Sequence, residues 1–73
     1  MATYYDLFGQ MPLMTGHLVK RMNEVGISPS QLTTALMTQA RPGTSPGTIM
    51  FVSREVTAPV DEATGDIITV WQT

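Results

Sequence analysis

Three observations predict an α+β fold for this chain: a small single domain, two N-terminal helices followed by a C-terminal β-hairpin. Met11, Met14, Leu18, Met22 and Val25 recur in steps of three, four, four and three, one apolar helical stripe. A helix stop then abuts a helix start across Gly26-Ile27-Ser28-Pro29. Beyond a proline-glycine loop, β-branched and aromatic residues dominate between Thr48 and Trp71. With 73 residues there is room for one domain, 1–73, and a chain this short buries only about 60% of the surface it exposes when unfolded.

The segment 3–12 holds three of the five aromatics, Tyr4, Tyr5 and Phe8, beside Leu7. A short helical turn and an extended arm suit it equally. Proline is accepted at a first helical position, so Pro12 introduces a helix assigned to 13–25. Gly16 inside it costs about 1 kcal/mol relative to alanine, which delays the regular helix to near Thr15. Lys20, Arg21, Asn23 and Glu24 fall off the apolar stripe and should face solvent. Gly26 suits the left-handed position that ends a helix, with Ile27 packing back on Met22 in a Schellman motif.

Ser28 then supplies an N-cap, Pro29 the first helical position and Gln31 the far side of a capping box. Ile27 and Leu32 form a hydrophobic staple across it, so one isoleucine locks both helices. The second helix is assigned to 29–39, with Leu32, Ala35, Leu36 and Gln39 inward, and ends ahead of Pro42 because proline disfavours helical geometry in Arg41. Two prolines and two glycines make 41–47 a loop. Thr48–Val56 reads as a strand, Asp61–Asp66 as a turn with Gly65 left-handed, and Ile67–Trp71 as the returning strand of a hairpin over 48–71. Pro59 suits the hairpin's tip or edge, and Phe51 with Trp71 should form the face packed on the helices.

Charged residues make up 14% of the chain, against roughly 25% in ordinary soluble domains. Eleven threonines and six methionines occupy much of the remaining space. Such a near-neutral surface is cheap to desolvate and favours protein contacts. Four Lys plus Arg against six Asp plus Glu give a net charge of −2, which argues against direct nucleic-acid binding. Without cysteine and with one histidine, neither a disulfide nor a conventional zinc site is expected, and a reducing cytoplasmic setting fits. No apolar run approaches the roughly 20 residues of a membrane span, and Met1–Asp6 has no basic cluster of the kind that opens a secretory signal.

No residue pattern carries catalysis. His17 has no nucleophile and acidic orienter at suggestive spacing. Asp61, Glu62 and Asp66 lack the alternation and closing glutamate of an EF-hand loop and read as a solvated turn. Gly43-Thr44-Ser45-Pro46-Gly47 has neither the lysine nor the helix of a phosphate loop. A non-enzymatic binder without cofactor, metal or small-molecule substrate is therefore expected. The candidate protein-binding residues are the aromatic Tyr4, Tyr5 and Phe8 and the basic Lys20, Arg21, Arg41 and Arg54. The aromatics could equally cover the core. Lys20, Arg21 and Arg41 would form one positive spot if the second helix folds back on the first.

Two resemblances bear on function. Ser28–Leu36 resembles the second helix of helix-turn-helix repressors, but the residues that should form their recognition helix are here the Pro/Gly loop 41–47. A small degenerate winged-helix DNA-binding protein, with the hairpin as wing, remains an alternative. The whole chain, from Met1-Ala2-Thr3-Tyr4-Tyr5-Asp6 to Ile67-Ile68-Thr69-Val70-Trp71-Gln72-Thr73, resembles the very small transcription regulators of Xanthomonas bacteriophages. That resemblance implies a protein acting in the host bacterial cytoplasm by binding host RNA polymerase, displacing the sigma factor to inhibit initiation, and promoting antitermination. It transfers no functional residue.

Overall fold

In the computed structural model, which describes residues 2–73, the chain forms three helices followed by a four-stranded antiparallel sheet. The α+β class stands, while the two helices and single hairpin of the sequence reading are replaced by this larger set. The segment 3–12 resolves in favour of a helix, α1 (Tyr4–Phe8). Thr3 Oγ1 accepts the Asp6 N–H, and the Asp6 carboxylate accepts the Thr3 N–H at 3.1 Å, a capping box that holds this short turn.

Helix α2 (Gly16–Val25) starts three residues later than the 13–25 assignment. Thr15 is its N-cap, accepting the Leu18 N–H, so residues 13–15 stay outside the helix. Leu18 and Met22 reach the core, whereas Met11 and Met14 remain exposed. The joint to α3 (Pro29–Leu36) is as the residues predict. Gly26 takes φ 75°, and the Ile27 N–H reaches back to the Met22 carbonyl at 2.8 Å. Ser28 and Gln31 exchange both capping-box bonds, and Ile27 and Leu32 are buried. The end of α3 falls short of residue 39 because Thr38 turns back, its N–H and its hydroxyl both donating to the Ala35 carbonyl. Gln39 is consequently exposed rather than inward.

The strands β1 (Arg41–Pro42), β2 (Thr48–Val52), β3 (Val56–Asp61) and β4 (Trp71–Gln72) lie side by side in that order. The predicted loop 41–47 thus opens with a strand, and the predicted strand 48–56 doubles back at Ser53. There the Ser53 N–H bonds the Val56 carbonyl at 2.8 Å, while its Oγ accepts the N–H groups of Glu55 and Val56. Among the described residues only glycines have positive φ, so the Arg54-Glu55 turn lacks the primed geometry that Asn-Gly or Asp-Gly would have announced. The turn at 61–66 does form, with Gly65 at φ 80°. It leads into a segment that bridges Val60 through Ile67 and pairs fully only at β4. Pro59 lies within β3, not at a tip. Its carbonyl accepts the Ile68 N–H at 2.9 Å, and its nitrogen, on the same side, has no hydrogen to return, so the ladder to β4 is interrupted there.

The register sends Ile49, Phe51, Ala58 and Val60 to one face and Met50, Val52, Thr57 and Pro59 to the other. The helices cover the first face. Leu18, Met22, Leu32, Ala35 and Leu36 join Phe51, Val56, Ala58 and Val60 in one core, and Tyr4 meets Phe51 edge-on with ring centroids 5.8 Å apart. Trp71 departs from expectation. As the cross-strand partner of Thr57 it stands on the uncovered face, 39% exposed. Its neighbour Gln72 lies on the helix side instead, exposed at the edge, and donates Nε2 to the Val25 carbonyl at 2.8 Å.

Candidate functional site

The seven residues singled out as protein-binding candidates separate into three places. Tyr4 is 3% exposed and belongs to the core, with its ring against Phe8 at 4.6 Å and its hydroxyl donating to the Gly65 carbonyl. Burial, and secondarily the charge of Asp66, push its phenol above the ordinary value of 10.0. Phe8 is half-buried beside it. Tyr5 alone of the three aromatics faces solvent, 61% exposed.

Lys20 is exposed on α2, but Arg21 is half-buried and its Nε donates to the Val70 carbonyl at 3.3 Å, tying α2 to the segment that enters β4. Arg41 sits on β1, at the opposite edge of the sheet. Three strand spacings, about 14 Å, separate the two edges, so Lys20 and Arg21 do not converge with Arg41. Arg54 does. Arg41 and Arg54 are both exposed and line one groove of about 750 Å³ between α3 and the outer side of β2.

Sequence reasoning singled out Tyr5 as a binding candidate but assigned Met11 and Met14 to the apolar stripe of a helix. Of the nine large apolar side chains left exposed among the described residues, five fall between Tyr5 and Met14: Tyr5, Leu7, Met11, Leu13 and Met14. Leu13 is 83% exposed. The cause is local. Gly9 ends α1 in the left-handed conformation, Thr15 caps α2, and the strap between them has no helix or strand that could aim its side chains inward. The signal was available in Gly9 ahead of the apolar stripe and in Pro12 and Thr15 within it, three helix-ending or helix-starting residues.

His17 is exposed in the first turn of α2. Asp61 spends its carboxylate on the turn, where Oδ1 accepts the N–H groups of Ala63 and Thr64. Among the described residues no three His, Cys, Asp or Glu side chains are placed to hold a metal ion, and no helix is long and apolar enough to cross a membrane. What the site offers is surface: an apolar strap, an uncovered sheet face and a groove flanked by two arginines. Comparison with protein families, with curated proteins and with solved structures finds no match to this chain.

Proposed function

We propose that this protein is a non-enzymatic regulator that binds host bacterial RNA polymerase in the host cytoplasm, inhibits initiation by displacing the sigma factor, and promotes antitermination. The resemblance to very small phage transcription regulators supplies the partner. The observation that carries a protein-binding role is the strap, where Tyr5, Leu7, Met11, Leu13 and Met14 stay exposed within ten residues of chain. Exposed apolar side chains concentrated in one short segment favour a protein surface as their cover. Tyrosine anchors and adaptable methionines are side chains that interfaces use. A sheet with four cations in the whole chain has little with which to hold phosphate.

Affinity capture from bacterial lysate with the tagged protein tests this, followed by transcription in vitro on a template with a promoter and an intrinsic terminator. Recovery of polymerase subunits, fewer initiated transcripts and more read-through are expected. Salt-sensitive retention on DNA with no polymerase recovered would replace this reading with the winged-helix one.

A further inference from the structure

We propose that the groove between α3 and the outer side of β2 takes an extended acidic peptide segment of a partner protein, which adds to the sheet as a strand beside Val52. This deepens the protein-binding reading and rests on it, but it does not require that the partner be polymerase. Strand β1 is too short to cover β2. Its pairing ends at Arg41 opposite Met50, and Val52 lies beyond. Within β2 the backbone direction alternates: the Ser53 N–H points to β3, where it meets the Val56 carbonyl, and the Thr48 carbonyl points to the β1 side, where it accepts the Gly43 N–H at 3.0 Å. Val52, an even number of residues from Thr48, therefore aims its N–H and carbonyl past the end of β1 and into the groove that it lines.

The unpaired stretch is one residue long, and the Val52 N–H and carbonyl can each take one hydrogen bond of the kind that peptide recognition by strand addition uses. At the opposite edge of the sheet, Arg21 occupies the Val70 carbonyl just ahead of β4, and the Gln72 side chain is bonded to the end of α2. The groove's volume, about 750 Å³, lies within the range of ligand clefts. Its far wall carries the short hydroxyl side chains of Ser30, Thr34 and Thr38 beside Gln31, which is drawn to Glu55 at one end.

Charge selects the occupant. Arg41 and Arg54 are two of the four cations in the chain, and both line this groove. The one acid there, Glu55, is engaged by the Gln31 amide at 2.6 Å. A net positive groove on a protein of net charge −2 favours carboxylates alternating along an extended segment. A nucleic-acid strand would need more cations than these two.

The test uses the full isotope-labelled chain, followed by NMR during titration with a short peptide alternating valine and aspartate, its valine-lysine counterpart, and a short single-stranded DNA. The acidic peptide is expected to shift the amides of Val52, Ser53 and Thr34 saturably and to slow hydrogen exchange at Val52. The lysine peptide and the DNA should leave them in place. Arg41→Glu with Arg54→Glu, both exposed and so expected to keep the wild-type melting temperature, should weaken acidic-peptide binding by about ten-fold or more. Equal binding of the lysine peptide, binding of DNA alone, or unchanged shifts at Val52 would overturn the proposal. If polymerase is captured but the peptide does not bind, the groove assignment falls and the function stands; peptide binding without polymerase capture gives the reverse.

Discussion

On the side of the sheet that meets the helices, Phe51, Val56, Ala58 and Val60 are fully buried, whereas on the other side Met50, Val52 and Pro59 are partly exposed, Trp71 is 39% exposed, and Thr57 is the buried exception. The open side mixes apolar Met50, Val52, Pro59 and Trp71 with Thr48, Thr57 and Asp61, more apolar than the wet face of an antiparallel sheet ordinarily is. The difference comes from outside the strands. The helices bring Leu18, Met22, Leu32 and Leu36 to one side only, and burial against them turns that side into folding energy. The groups opposite, Thr57 excepted, are less buried, so changes there are expected to cost less stability.

Changes on the two sides should separate widely. Phe51→Ala removes the largest fully buried side chain and is expected to cost about 3–5 kcal/mol, read by urea or thermal denaturation; a loss under about 1 kcal/mol would mean that this side is not the core. Tyr4→Phe leaves the Gly65 carbonyl without its donor and should cost about 1–2 kcal/mol. The same variant sharpens the comparison through pH. Because the folded phenol titrates above its unfolded value of 10.0, the stability it contributes is complete below that value and is lost as pH rises through the folded one. Wild type should therefore weaken with rising pH above about 10, and Tyr4→Phe should flatten that dependence. A slope that survives the substitution would assign it to another group.

Ser28→Ala loosens the cap that sets the angle of the covering helices and should cost about 1 kcal/mol, measurable as a drop in melting temperature. The smallest effect is expected on the open side, where Trp71→Ala should change stability by less than about 1 kcal/mol. A larger loss there would erase the distinction between the two sides.

The residues announced the parts of this fold that depend on near neighbours. Gly26, Ile27, Ser28 and Gln31 act within a few positions of one another, and every bond expected of them is present. The turn at Ser53 was silent because a serine side chain closes it without the left-handed residue that marks a hairpin. The strip Thr48-Ile49-Met50-Phe51-Val52 is apolar at both parities from Ile49 onward, so which side the helices cover could not be read from it. Among the candidate residues, Tyr4 and Arg21 carried the right chemistry for an interface but are used inside the molecule. Arg41 and Arg54 are thirteen positions apart and meet only because β1 and the Ser53 turn flank the same groove.

The central claim is that the exposed apolar surface serves binding rather than folding, and the strap tests it most directly. Replacing Tyr5 and Leu13 together by serine, then measuring melting temperature and capture of bacterial RNA polymerase side by side, should leave the melting temperature within a few degrees of wild type and abolish capture. Lost stability, or polymerase captured as well as by wild type, would contradict it.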